Sequence, residues 1–305
     1  MSFTEINCTY VEEFWEYLDP RNPLKKNFPL DVCENILYRG QSDADWRLIP
    51  SAMREFIKNG NFQNFNNYKV CIKNEFEDLK KYIGDFSFRK DMPEGLPTID
   101  LETFFESEKL NDIFRDSSRK IIWPSGEYLP FSAVVQHRGI STSLLDWSKH
   151  PFIAAFFAAI SHIRQDHRLA NTKKLAVWIY VSKPIINNRI KIHNPLSSEK
   201  NFNAQFGEFS SIVQFIDNPD SFNFDTIDTL CDETNLFKLT MDKNSAPMLL
   251  KYCHHHFIDH GSLYPADGER ITKKIADKKH WTNILKKERP ISLFIDPSLD
   301  AMDTL

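Results

Sequence analysis

The chain has 305 residues, 41% hydrophobic and 26% charged, with 42 acids against 38 Lys and Arg and a net charge of −4. That length suits one large domain or two modest ones, and the charge balance gives no support to nucleic acid as a target. The longest apolar run, Phe152 to Ile160, is too short to span a bilayer. The start, Met1-Ser2-Phe3-Thr4-Glu5, lacks the charged and apolar regions of a signal peptide. Five cysteines at wide spacing with no CxxC pair suit reduced thiols. The expectation is a cytoplasmic protein without a membrane partner.

In chain order, residues 10–18 carry apolar side chains at helical spacing with acids early, which predicts an amphipathic helix. Pro20 and Asn22-Pro23 end it. Residues 35–39 predict a short buried strand closed by Gly40, followed by a polar loop, 41–50, and a helix from Ser51. Residues 51–130 read as a largely helical insertion, with helices over 69–82 and 103–114 and a Pro/Gly loop at 93–97. A helix over 130–137 ends at Gly139. The continuous apolar run 175–181 predicts a central strand. Further strands are expected over 189–193, 209–216 and 236–240, a helix from Ser245-Ala246-Pro247 to Phe257, and a last helical region over 270–285. The sum is an α+β fold, a mixed or antiparallel central sheet with surrounding helices.

Polar residues cluster at four places. Tyr38-Arg39-Gly40-Gln41 puts an Arg at a strand end, where a guanidinium can clamp phosphate or carboxylate. The adjacent Gly would let a ligand approach the backbone; the bland alternative pairs Arg39 with Asp43 or Asp45. Ser141-Thr142-Ser143 can bond a sugar or amide, or cap the next helix. Asp146 can hold Arg39 or Arg138 in place while Trp147 packs. In Asn203-Ala204-Gln205-Phe206-Gly207-Glu208, Gln205 and Glu208 are the polar groups placed to enter a site. Glu208 could stabilise a cationic sugar-like transition state, or simply be solvated. Cys253-His254-His255-His256 with His260 raises zinc, since His256 and His260 would share a helix face. The Glu of a His-Glu-x-x-His motif is missing, and no metal is expected. A metal-dependent nuclease or hydrolase built on His137, Asp146 and the late histidines stays a third alternative. No Gly-x-Gly-x-x-Gly, Walker or Gly-x-Ser-x-Gly motif occurs.

These pieces in this order resemble the FRG domain family of bacteria and phages. The matching residues are Tyr38-Arg39-Gly40-Gln41, Trp46-x-Leu48-x-Pro50, Gln136-His137-x-Gly139-Ile140-x-Thr142-x-Leu144-Leu145-Asp146-Trp147, Pro151-x-x-Ala154-Ala155-x-Phe157-Ala158, Val177-Trp178, Asn203-Ala204-Gln205-x-Gly207-x-Phe209 and Gly261-x-x-x-Tyr264-Pro265-x-x-Asp267-Gly268. The resemblance implies a single FRG-type domain over 1–305.

A more distant resemblance is to ADP-ribosyltransferases of the Arg-Ser-Glu type. It implies an ADP-ribosyltransferase-like fold that uses NAD as substrate and modifies a macromolecular acceptor, as in a toxin or phage-defence effector. Arg39 would bind the NAD phosphate, Ser141 would support the nicotinamide ribose, and Glu208 would stabilise the oxocarbenium-like state. Gln41, His137, Thr142, Ser143 and Asp146 would complete the nucleotide site. Two positions depart. Ser143 stands where the FRG pattern has Arg, and Gln205 lies inside that pattern while Glu208 lies outside. If Gln205 holds the catalytic position, a neutral amide cannot supply a carboxylate's electrostatic stabilisation. The chain would then be a non-catalytic binding module that senses a nucleotide or a phage component.

Overall fold

The structure, a computed structural model, describes residues 3–19, 36–54, 64–89, 96, 99–115, 119–164, 171–182, 188–194, 200–219, 222–266, 268 and 270–287. In chain order the elements are β1 (Thr4–Asn7), α1 (Val11–Leu18), β2 (Ile36–Gln41), α2 (Phe65–Arg89), α3 (Leu101–Phe104), α4 (Ser107–Arg115), β3 (Lys120–Ile121), α5 (Leu129–His137), β4 (Leu145–Ser148), α6 (Pro151–Ile163), β5 (Lys174–Val181), β6 (Ile190–His193), α7 (Lys200–Ala204), β7 (Gly207–Ile212), β8 (Gln214–Phe215), α8 (Ile227–Leu230), β9 (Leu236–Asp242), α9 (Ala246–His255), α10 (His260–Leu263) and α11 (Arg270–Lys287). Seven strands form one sheet in the order β1-β9-β5-β2-β4-β7-β6. β1 runs parallel to β9 and the other neighbours are antiparallel, so the sheet is mixed. β3 and β8 make a separate two-stranded ladder.

Strand β5 explains its own apolar run. Leu175, Val177, Ile179 and Val181 enter the core shared with α1, α6 and α9. Trp178 and Tyr180 point to the other face, against Leu37, Leu145, Trp147 and Ile227. Both faces are covered, so no polar alternation is needed. In α1, Val11, Phe14, Trp15 and Leu18 form the buried stripe, and the Trp15 ring stacks on Phe152 at 3.8 Å. Helices α2, α3 and α4 build a separate hydrophobic cluster with Trp123, Tyr128 and Phe131.

Several boundaries differ from the sequence expectation for visible reasons. Helix α2 starts at Phe65 because the Asn64 carboxamide accepts the Asn66 amide at 2.8 Å, an N-cap the apolar pattern does not reveal. Where a helix was expected from Ser51, the described residues hold a three-residue 3-10 turn, Ser51–Met53, and 55–63 lie outside the description. The 93–97 loop lies outside it too, except Leu96. Helix α5 ends in a Schellman motif: Gly139 takes φ +88°, and the Ile140 amide donates to the Val135 carbonyl at 3.1 Å. Ser141-Thr142-Ser143 is a loop ahead of β4.

Gly40 also has a different reason from the one its position suggests. A Cβ there would lie 1.9 Å from the Ala154 carbonyl oxygen and 2.6 Å from the Ala158 nitrogen. Strand β2 and helix α6 meet backbone to backbone, and Gly40, Ala154 and Ala158 are small because of it.

Candidate functional site

The sheet opens between β2 and β4. β2 pairs with β5 at six positions, from Ile36↔Val181 to Gln41↔Ala176. Between β2 and β4 the register among the described residues is the single pair Tyr38↔Ser148. Arg39 occupies the gap. Its Nη1 donates to the Asp146 backbone carbonyl and forms an ion pair with Asp146 Oδ1 at 3.0 Å. Its Nε is buried and lacks a hydrogen-bond partner among the described residues. The Arg39 side chain is 10% exposed and that of Asp146 64%, so the carboxylate is the solvent-facing half of the pair. Asp43 is used elsewhere: it accepts from the Asp45 amide at 3.0 Å and the Thr172 hydroxyl at 2.9 Å.

Above this pair lies a cleft of about 260 Å³. One wall carries Tyr38, Arg39 and Gly40 from β2, Gln136 from α5, and Asp146 and Ser148 from β4. Further lining comes from Phe202, Gln205, Tyr264 and, beside β4 in the sheet, Gly207 and Phe209 of β7. The Phe202 and Phe209 rings stack at 5.0 Å, and a Cβ on Gly207 would strike the Phe202 ring at 2.3 Å. Gln205 Nε2 donates to the Leu263 carbonyl at 3.1 Å, and the Ser148 hydroxyl donates to the Gln205 carbonyl at 2.7 Å. The ring of Tyr264 stacks on His260 at 4.4 Å.

Of the residues singled out in the sequence, Arg39, Asp146 and Gln205 therefore share one cleft. The others stand apart. Ser141 is exposed and is not part of the cleft lining. Thr142 and Ser143 are buried: the Thr142 hydroxyl donates to Gln136 Oε1, and Ser143 binds Glu75 of α2 through its amide, at 3.0 Å, and its hydroxyl. Gln41 is buried, accepts from Trp178 Nε1 at 2.7 Å and ties β2 to β5. Glu208 pairs in register with Trp147, whereas Phe209 pairs with Asp146. Side chains alternate along a strand, so Glu208 lies on the sheet face opposite Asp146. There it is buried, ion-paired with Lys149 and bonded by Asn194 Nδ2 at 3.2 Å. The His137 side chain and Asp267 lie outside the described residues.

The late histidines do not share a helix. α9 ends at His255, and Phe257 takes φ +60°, so His256 and His260 belong to different segments. Among the described residues no group of three or more His, Cys, Asp or Glu is arranged to hold a metal ion. No described helix is long and apolar enough to cross a membrane. Cys8, Cys71, Cys231 and Cys253 are buried free thiols; burial, joined by nearby acids, pushes Cys8 and Cys231 up to about 12.

Sequence reasoning did not single out Gln136 as a site residue, although it stands in the cleft and bridges Thr142 to Asp146. Its Nε2 donates to Asp146 Oδ1 at 2.8 Å. The signal was its place in the polar run Gln136-His137-Arg138 that ends the helix at Gly139. Tyr264, Phe202 and Phe209 carried only the signature of core aromatics.

Residues 34–167 match the FRG domain family, which supports that family for this segment. The matched span carries the cleft wall with Arg39, Gln136 and Asp146, while Gln205 and Tyr264 follow it in the chain. No curated protein and no solved structure matches the chain.

Proposed function

We propose that the Arg39–Asp146 cleft binds a nucleotide, NAD or a related molecule, and that the protein is a binding module rather than a transferase. The observation that carries this reading is the composition of the cleft: a cation with an uncommitted Nε, an exposed carboxylate, two carboxamides and stacked aromatic rings around one opening. The Arg39 guanidinium, which lines the cleft, suits a phosphate oxygen. Asp146 and Gln205 suit the hydroxyls of a ribose, and the half-buried Tyr264 suits a ring, with the buried Phe202 and Phe209 pair behind it. A volume of about 260 Å³ sits just under the roughly 300–1,000 Å³ of small-molecule pockets, so one mononucleotide half of NAD fills it. The polar side chain the 203–208 stretch contributes to the cleft is Gln205, a neutral amide that cannot stabilise an oxocarbenium ion as a carboxylate does.

A second reading, an ADP-ribosyltransferase-like enzyme or NAD glycohydrolase acting on a macromolecular acceptor or on NAD alone, is favoured by one observation. Asp146 provides a carboxylate inside the cleft, in the ion pair with Arg39. That chemistry would run through Asp146, not Glu208.

Calorimetric titration of the full chain with NAD, ADP-ribose and AMP decides between them. Binding of AMP or ADP-ribose that Arg39→Ala abolishes, with no nicotinamide released from labelled NAD, supports the binding module. Nicotinamide release that Asp146→Asn abolishes supports the enzyme. Absence of binding by all three nucleotides sinks both.

A further inference from the structure

Glu75 projects from α2 into the cluster formed with Phe76, Phe105, Trp123 and Tyr128 and is 2% exposed. All its protein donors converge on one oxygen. Oε2 accepts from Trp123 Nε1 at 2.9 Å, from the Ser143 amide at 3.0 Å and from the Ser143 hydroxyl. Oε1 is buried with no hydrogen-bond partner among the described residues. That asymmetry fits a carboxylic acid carrying its proton on Oε1. An ionised carboxylate would leave charge on an oxygen that nothing solvates. Burial pushes Glu75 up to about 7, against the pull of the Ser143 and Trp123 donors, and the Asp78 charge adds to the rise. The titratable groups acting on it, Asp78, Tyr68 and Cys71, all lie on α2, while the residues facing it from other segments, Trp123 and Ser143, are neutral.

Hydrogen bonds, joined by the backbone between Ser143 and Thr142, lead from this acid to the cleft. Ser143 is held by Glu75, its neighbour Thr142 donates to Gln136, Gln136 donates to Asp146, and Asp146 holds Arg39. The loop 142–144 is the shared element. When Glu75 loses its proton, Oε1 becomes a buried charge in need of a donor, and the donors within its reach are those of Ser143 and Trp123. Dividing them between two oxygens shifts the loop, and with it Gln136 and Asp146. The added negative charge also disfavours an anionic ligand. Both effects have the same sign.

We propose that proton binding at Glu75 is coupled to the geometry and ligand affinity of the Arg39–Asp146 cleft, with the protonated acid acting as the positioning residue that holds the cleft in its binding form. This rests on the nucleotide reading of the cleft for its ligand, though not for its internal readout. In the ligand-free full chain, the Gln136 side-chain amide resonance, assigned by its loss in Gln136→Ala, is followed from pH 5.5 to 8.5. It should titrate near neutral pH in the wild type and stay flat in Glu75→Gln, which keeps the shape of the protonated acid. AMP affinity should fall about fivefold between pH 6 and pH 8 in the wild type, the change expected over that range when ligand moves a pKa of about 7 by one unit. In Glu75→Gln it should stay at the pH 6 value. A Gln136 resonance that titrates identically in both proteins, or is flat in both, overturns the coupling whether or not AMP binds. If AMP fails to bind at any pH while the resonance behaves as expected, the coupling stands and the nucleotide reading falls.

Discussion

One glycine substitution tests the packing that shapes the cleft floor. In Gly40→Ala the new methyl would sit 1.9 Å from the Ala154 carbonyl oxygen and 2.6 Å from the Ala158 nitrogen, where ordinary contact begins at 3.4 Å. Both opposing atoms are backbone, so no rotamer change relieves the clash. Strand β2 and helix α6 must part by about 1.5 Å, and α6 carries ten buried residues whose packing degrades with that movement. Overpacking ordinarily costs about 1–3 kcal/mol through side-chain adjustment. A clash that backbone alone must absorb should cost at least about 3 kcal/mol, which lowers the melting temperature of a chain this long by roughly 5 °C. Gly84→Ala is the internal control. Gly84 lies in α2 with nothing within 4 Å of the added methyl, so Ala there should stabilise by about 0.5–1 kcal/mol. Urea denaturation of the three proteins at one pH gives both values. Gly40→Ala as stable as the wild type would refute the backbone-to-backbone contact, and a loss at Gly84 as large as that at Gly40 would refute the steric explanation.

Stability should also depend on pH through Glu75. Its folded pKa of about 7 exceeds the ordinary 4.5, so the folded chain binds the extra proton across that window and stability falls as pH rises through it. The loss above the window is about 3 kcal/mol. Glu75→Gln should match the wild type near pH 5 and exceed it at pH 8; parallel denaturation curves at the two pH values would contradict this. Glu208→Gln should cost about 1–3 kcal/mol of stability by weakening the buried contacts to Lys149 and Asn194, yet leave AMP affinity within twofold. A tenfold loss of affinity in a folded Glu208→Gln protein would return Glu208 to the binding site.

Much of the architecture is legible in the sequence where one physical cause dominates. Strand β5 announces itself because both its faces are buried. β1 does not, because Thr4–Asn7 is a four-residue edge strand half exposed in alternation, and its partner β9 is over two hundred residues away. The Arg39–Asp146 pair stood among the alternatives for Asp146, whereas the acids expected beside Arg39 were Asp43 or Asp45, its neighbours in sequence. What sequence could not decide was Gln205 against Glu208. The two are three apart, and the answer depends on where helix gives way to strand: α7 ends at Ala204 and β7 begins at Gly207, which puts Glu208 on the far face. The same sensitivity undid the His256–His260 pairing, where α9 stops at His255, five residues short of His260. The roles of Thr142 and Ser143 were hidden for another reason. Their partners, Gln136 and Glu75, lie on separate helices, and Glu75 has no local feature that distinguishes it from a solvated acid on an amphipathic helix.

The single register position between β2 and β4 divides the sheet into two blades, β1-β9-β5-β2 and β4-β7-β6. A seam of one register pair, one ion pair and one side-chain hydrogen bond has little stiffness of its own. A molecule seated across Arg39 and Asp146 would bind one residue from each blade and stiffen the joint between them. Amide hydrogens flanking the seam should then exchange more slowly with ligand present, while those inside either blade keep their rates.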